Sequence, residues 1–196
     1  MITVGLTGSI AMGKSTIAKM FASRGIPVFD SDAAVHQLYS PGGGAVKAIA
    51  ELVPSAVVAG TVDRHRLTKA IENAPNLLEE VERAVHPLVR NLQKQFLLDA
   101  GSKGTELVVL DIPLLFETEQ DEEVDKIIVV SAPFDIQRSR ALARPGMTKE
   151  KFNFIVSKQM PDALKRLKAD YVVDTSRGLE DSRRQIDDII RTLIGT

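Results

Sequence analysis

The stretch Gly8-Ser9-Ile10-Ala11-Met12-Gly13-Lys14-Ser15-Thr16 decides the fold prediction for this chain. It matches the pattern G-x-x-x-x-G-K-[ST], in which a glycine-rich loop surrounds the phosphates of a nucleotide. The residues before it, Ile2–Thr7, form an apolar run typical of a short buried strand, and residues 15–24 after it carry apolar side chains at helical spacing. Strand, loop and helix together predict a nucleotide-binding loop.

Each residue type in this loop has a physical role in binding phosphate. Gly8 and Gly13 let the backbone turn tightly and approach an anion, because they carry no Cβ. Loop amides and the positive end of the next helix face the phosphates, while Lys14 reaches the β- and γ-phosphates and Ser15 binds Mg²⁺. The alternative is an ordinary strand-to-helix turn with a solvated lysine. The residues expected to contact the nucleotide are Gly8, Ala11, Met12, Gly13, Lys14, Ser15 and Thr16.

Composition bounds the class of protein. With 196 residues, 44% hydrophobic and 26% charged, the chain has the size of one α/β core with a small insertion. A formal net charge of −1 gives no sequence-wide positive field for a nucleic-acid partner. No long apolar run and no basic-then-apolar leader is present, so no membrane association is expected. The absence of cysteine excludes disulfides and thiolate metal sites and is compatible with the cytoplasm, and no feature indicates an oligomeric state.

Apolar runs and breakers predict an alternation of strands and helices around a helical segment. Strands are predicted near 26–30, 107–112, 126–130 and 171–173, and helices near 134–144, 148–160 and 179–193. Residues 41–104 carry no clear strand pattern and are expected to be helical, with a turn near 60–63 and a kink or break at Pro87. We therefore expect an α/β fold in which residues 1–40 and 105–196 form the nucleotide-binding core and 41–104 a helical insertion.

Two carboxylates follow the second predicted strand. Ligands of open parallel sheets bind outside the carboxyl ends of the strands, and Asp30 and Asp32 are expected there. Such a carboxylate could accept the proton of an attacking hydroxyl, as the base of a kinase does. The structural alternative is that Asp32, or Ser31, caps the following helix. Spacing alone does not decide between these interpretations.

Other charged residues also have two interpretations. Asp111 ends an apolar strand, where it could hold Mg²⁺ or merely face solvent. Arg140 and Arg144 lie one helical turn apart and suit phosphate oxygens, although such a pair is also typical of a solvated helix face. His86 has no cysteine and only two other histidines in the chain to join it, so the residues predict no metal cluster.

The motifs taken together resemble one family, the dephospho-CoA kinases. The resemblance covers nearly the whole chain and rests on segments in the family's order, namely residues 5–8 and 13–16, 30–32, 60–64, 86–87, 111–117, 140–144, 159 and 169–173. Many families share the phosphate loop, whereas the series Asp-x-Asp, His-Pro and Pro-Leu-Leu-Phe-Glu is much narrower.

This resemblance implies transfer of the γ-phosphate of ATP to the ribose 3′-hydroxyl of dephospho-coenzyme A, with Mg²⁺ as cofactor. It implies a P-loop NTPase fold of the nucleoside-monophosphate-kinase type, with a five-stranded parallel sheet flanked by helices, a helical substrate domain and a lid at about 140–160. The implied site residues are Asp32 as base, Lys14 and Arg140 at the transferring phosphoryl group, Arg144 and Thr175 at ATP, Arg64, His86, Leu114 and Leu115 at the substrate, and Ser15 and Asp111 at the metal.

The sequence departs from the family pattern at three places. Ser9 and Ala11 stand where the family has loop glycines, and the Cβ of Ala11 requires a negative φ if nucleotide affinity is not to fall. Thr175 stands where asparagine is common, near the expected adenine, which leaves the base preference open. Phe154 stands where many relatives have a lid arginine.

Two other functions fit the same loop. Another small-molecule kinase of this fold, acting on a nucleoside or nucleotide, would not need a substrate site that reaches into residues 41–104. A nucleotide-dependent binding switch would bind nucleotide without acceptor-dependent release of ADP, and the sequence lacks the Asn-Lys-x-Asp motif that selects guanine.

Overall fold

The computed structural model describes residues 1–195 of the chain. Its strands are β1 (Ile2–Thr7), β2 (Val28–Asp30), β3 (Val57–Val58), β4 (Thr61–Val62), β5 (Leu107–Asp111), β6 (Lys126–Ser131) and β7 (Tyr171–Asp174). Five of them form one parallel sheet in the order β2-β5-β1-β6-β7, and β3 and β4 pair as a separate antiparallel hairpin. The predicted five-stranded parallel sheet is confirmed.

Helices fill most of the remaining chain. They are α1 (Lys14–Ala22), α2 (Ser31–Tyr39), α3 (Val46–Leu52), α4 (Arg64–Asn73), α5 (Leu77–Ser102), α6 (Phe134–Leu142), α7 (Lys149–Lys158), α8 (Asp162–Lys168) and α9 (Leu179–Ile194), with single 3₁₀ turns at Pro54–Ala56 and Asp121–Glu123. α5 continues through Pro87, so the break considered there does not occur. Among the helices of residues 1–195, none has the length and apolar character that a membrane crossing requires.

The central strand β1 lies between β5 and β6. Leu6 of β1 is in register with Asp111 of β5 and with Ile128 of β6. Every residue of β5 is buried, as expected for a parallel strand covered on both faces. Each large aliphatic side chain buried in this way contributes roughly 1.5–3 kcal/mol to stability. The core around the sheet includes Val4, Leu6, Ile17, Phe21, Val109, Val130 and Ile186.

The chain divides into two compact units. One comprises Met1–Phe29 with the chain from Ala100 onward, and the other is Asp30–Asp99. The helical unit thus begins earlier than the expected residue 41, because Leu38 and Tyr39 of α2 are buried in its apolar core. It also contains the β3–β4 hairpin, whose strands of two residues each are too short to show a strand periodicity in the sequence.

The start of α2 is capped by Asp30. The Asp30 carboxylate accepts a hydrogen bond of 2.9 Å from the Ala33 N–H, which is the usual arrangement of an N-cap. Asp32 lies in the first turn of the helix and its side chain is exposed. The interpretation of Asp32 or Ser31 as the cap is therefore wrong, and the helix end does not depend on the Asp32 carboxylate.

Replacing the cap residue tests this assignment. Asp30→Ala should lower the free energy of unfolding by about 1 kcal/mol, because the Ala33 N–H loses its acceptor. Asp30→Asn keeps an acceptor at the cap and should remain within about 0.5 kcal/mol of the native chain. Urea unfolding followed by circular dichroism measures both values. Equal losses in the two variants would contradict the capping role.

Candidate active site

Two glycines fix the path of the phosphate loop as it leaves β1. A Cβ on Gly8 would lie 2.6 Å from the Val130 carbonyl oxygen, a distance that a side chain cannot adopt. Gly13 has a φ of 99°, in the left-handed region that glycine enters without steric cost. The loop therefore passes close against β6 at its start and turns sharply into α1 at its end.

The N-terminus of α1 is arranged to bind an anion. Gly13 is the N-cap residue, and no side chain of residues 1–195 caps this end. The Thr16 N–H donates to the Gly13 carbonyl oxygen at 3.0 Å, which leaves the Lys14 and Ser15 amides at the helix end for an anion. These amides and the helix dipole together favour a bound phosphate. Lys14 forms an ion pair with Asp111, whose side chain is buried at the end of β5. The structure thus places the ammonium group of the loop beside the carboxylate predicted to bind metal.

Ala11 does not have the negative φ that the sequence required of it. Its φ is 62°, and the left-handed conformation costs a residue with a Cβ about 1–2 kcal/mol. The Ala11 side chain is buried against Ala141 of α6 and Phe152 of α7. The packing of this methyl group offsets the backbone strain, because it removes apolar surface from water.

A cavity of about 340 Å³ adjoins the loop. Its lining includes Ala11, Gly13, Thr16, Arg140, Arg144, Thr175 and Leu179. The structure therefore brings together, beside α1, residues of the loop, of the predicted lid and of the segment after β7. All of these except Leu179 were predicted to contact ATP or the transferring phosphoryl group.

Thr175 links the loop to Arg140. Its hydroxyl donates a hydrogen bond of 2.8 Å to the Met12 carbonyl oxygen and accepts one of 2.8 Å from the Arg140 guanidinium. The same guanidinium donates to the Thr175 carbonyl oxygen at 2.8 Å. Arg140 is thus fixed at the cavity rather than on a solvated helix face. Arg144, one turn later, is exposed.

A second cavity, of about 260 Å³, lies within the helical unit. Arg64, His86 and Tyr39 line it together with apolar side chains such as Leu67 and Val81. Burial raises the pKa of the Tyr39 hydroxyl above its usual range, while the positive charge of Arg64 acts to lower it. Tyr39 was not predicted as a site residue, because its place on the apolar stripe of a helix is typical of a core residue.

The two leucines predicted to contact substrate differ in exposure. Leu115 is fully buried, and its Cδ2 would lie only 3.1 Å from a Cβ on Gly5 of β1. That side chain belongs to the core, so a contact of Leu115 with substrate would involve its main chain, and it stays a prediction. Leu114 is 41% exposed, and its contact with substrate stays a prediction.

The parallel sheet, the phosphate loop and the adjoining cavity define a P-loop kinase. A family model described as dephospho-CoA kinase matches residues 2–181. The chain belongs to the dephospho-CoA kinase family, whose enzymes carry out the ATP-dependent final step of coenzyme A biosynthesis.

Individual relatives agree with this family. A dephospho-CoA kinase of Brucella melitensis is 51% identical over 195 residues, which cover 100% of this chain and 96% of the relative. A crystal structure of a Thermus thermophilus protein is 35% identical, covers 99% of this chain and 98% of its own, and superposes with a TM-score of 0.83. A dephospho-CoA kinase structure from Campylobacter jejuni, at 23% identity, covers 98% of both chains with a TM-score of 0.72 and shows the same fold. Membership of this family favours a dephospho-CoA kinase over the two alternatives considered from the sequence, which were a nucleoside or nucleotide kinase and a nucleotide-dependent binding switch.

Substitutions of Ala11 separate backbone strain from packing. Ala11→Val should lower the free energy of unfolding by about 2 kcal/mol or more, because a β-branched residue fits positive φ poorly and overfills the contact with Phe152. In Ala11→Gly, relief of strain and loss of a buried methyl oppose each other, so the change should stay within about 1 kcal/mol. Urea unfolding of the two variants gives these values. An equal loss in both would contradict the balance of strain and packing.

Proposed function

We propose that this enzyme transfers the γ-phosphoryl group of ATP to the 3′-hydroxyl of the ribose of dephospho-CoA. The observation that carries the proposal is the cavity lined by Gly13, Arg140 and Thr175, which adjoins the uncapped N-terminus of α1. Base and ribose in that cavity would leave the triphosphate beside the anion site. Family membership supports the acceptor. The cytoplasmic location expected from the sequence stays a prediction.

The loop would hold the phosphates of ATP. Amides at the start of α1 would face the phosphate oxygens, and Lys14 would contact the β- and γ-phosphates. The support for this role is that Lys14 is the first residue of α1 and follows the positive-φ Gly13. Phosphate binding by backbone amides requires no reorganisation of side chains, because the amides are already oriented by the helix.

Ser15 and Asp111 would hold Mg²⁺. Both supply oxygen ligands, which this ion prefers. Asp111 is buried beside Lys14, and Ser15 is exposed in the first turn of α1. The donor chemistry of these residues therefore fits the ion. When bound, Mg²⁺ neutralises negative charge on the phosphate oxygens.

Asp32 would act as the general base. The acceptor hydroxyl oxygen forms a bond to the γ-phosphorus, the bond to the β–γ bridging oxygen breaks, and ADP leaves. The Asp32 carboxylate would take the proton of the hydroxyl. Two observations support it: the side chain is exposed, and α2 is already capped by Asp30.

The cavity of the helical unit would bind part of dephospho-CoA. Arg64 and His86 supply polar groups suited to a phosphate of the substrate, and Leu67 and Val81 supply an apolar wall for its pantetheine arm. The arrangement matches the chemistry of an acceptor that is part charged and part apolar. The helical insertion would then serve as the substrate domain.

Arg140 would stabilise charge on the transferring phosphoryl group. Its two hydrogen bonds to Thr175 orient the guanidinium in advance, and preorganised donors are effective because they need not rearrange during the reaction. Arg144 would contact the phosphates of ATP from the same segment. Closure of the lid at 140–160 would exclude water, which otherwise competes for the phosphoryl group.

A panel of acceptors tests the proposed function. With ATP and Mg²⁺, ADP release should depend on dephospho-CoA and should be at least about 10²-fold slower with adenosine, uridine or a nucleoside monophosphate, because these lack most of the binding surface of dephospho-CoA. A coupled ADP assay measures the rates. Comparable rates with adenosine would overturn the acceptor assignment. A rate of ADP release that is the same with and without each acceptor would overturn the kinase assignment.

Asp32→Asn tests the base. Turnover should fall by roughly 10²–10⁴, because the amide cannot accept the proton, while ATP binding measured by calorimetry should remain unchanged. Asp30→Asn is the matched control, since it is the same substitution in the same turn and keeps the cap. Near-normal turnover of Asp32→Asn would remove Asp32 as the base.

A further inference from the structure

Two glutamine side chains form hydrogen bonds with the backbone of Ile10, in the middle of the phosphate loop. The Ile10 N–H donates to Gln159 Oε1 at 3.0 Å, and Gln137 Nε2 donates to the Ile10 carbonyl oxygen at 2.9 Å. Gln137 lies in α6 and is 3% exposed, and Gln159 directly follows α7. The segment from α6 to Gln159 therefore contacts the loop through a side chain near each of its ends.

These bonds fix two consecutive peptide groups. The N–H of Ile10 belongs to its peptide with Ser9, and the carbonyl to its peptide with Ala11. The Ile10 carbonyl and the Ala11 N–H belong to the same trans peptide, in which the C=O and the N–H point in opposite directions. Because the hydrogen bond from Gln137 holds the carbonyl toward α6, the Ala11 N–H points away from α6. No hydrogen bond among residues 1–195 uses that N–H, so it can serve an anion.

The Ile10–Ala11 peptide is the part of the loop most in need of support. Rotation of this peptide would relieve the positive φ of Ala11, but it would also replace an N–H donor with a carbonyl oxygen facing the phosphates. The bond from Gln137 opposes that rotation directly, and the buried contact of Ala11 with Ala141 and Phe152 opposes it through packing.

We propose that Gln137 and Gln159 are positioning residues that keep the phosphate loop in its anion-binding conformation. They do so from the segment that carries Arg140 and Arg144, so the loop and the phosphate-binding arginines are held in one arrangement. This inference rests on the proposed nucleotide site, because the two glutamines would act by raising the affinity of that site for ATP.

Gln137→Met and Gln159→Met test this role in the full chain, because methionine keeps the size of glutamine and removes the hydrogen bond. Each variant should weaken ATP binding by about 10-fold or more, measured by calorimetry with ATP and Mg²⁺. The KM for dephospho-CoA should change by less than about two-fold, since neither glutamine is placed at the acceptor. Ile189→Ala, in α9, is the control for a loss of stability that leaves the loop intact.

Charge-changing variants separate positioning from packing. Both glutamate variants add a negative charge beside the anion site, so they are compared with each other: Gln159→Glu retains an acceptor for the Ile10 N–H and should bind ATP at least about three-fold more tightly than Gln137→Glu, which has no donor for the Ile10 carbonyl. Gln137→Met and Gln159→Met with native ATP affinity would overturn the inference, as would Gln159→Glu binding ATP no more tightly than Gln137→Glu. If the native chain itself did not bind ATP, the proposed function would fail together with the inference.

Discussion

The nucleotide site depends on a close approach of backbone to backbone, in which Gly8 lies so near the Val130 carbonyl oxygen that a Cβ would be 2.6 Å from it. This approach brings the start of the loop against the carboxyl end of β6, an interior strand of the sheet. Gly13, with its φ of 99°, then starts α1 at an end that no side chain of the described residues 1–195 caps. The buried strands β1, β5 and β6 provide a rigid base for this path. Main-chain geometry therefore creates the anion site, and Lys14 adds charge to it.

Most of the fold was predictable from the sequence, because its main elements carry their pattern locally. The strand–loop–helix unit at residues 2–22 and the apolar run that became β5 each show their character within a few residues. α8 was missed, since seven residues with several charges give little helical periodicity. The cap of α2 is Asp30 and not the Asp32 or Ser31 considered from the sequence, because all three residues are common cap types and only the geometry selects one.

The sequence predicted which residues carry the chemistry of the candidate site, but not which of them contact each other. The motif identified Lys14, and the strand end identified Asp111, but their ion pair joins α1 to the end of β5 and is a tertiary contact. Nothing in the loop sequence shows that Ala11 has a positive φ, because the Phe152 contact that offsets it comes from α7. The burial of Leu115 is likewise a property of the packed core. These features depend on tertiary structure, which local patterns do not encode.

The bonding of Thr175 has a consequence for the choice of nucleobase. A hydroxyl has one proton to donate, and that of Thr175 is directed at the Met12 carbonyl oxygen while its lone pair receives Arg140. An asparagine amide, by contrast, has two protons and an oxygen to offer a ring edge. At the proposed nucleotide site, the Thr175 hydroxyl therefore has no second proton with which to distinguish one purine from another.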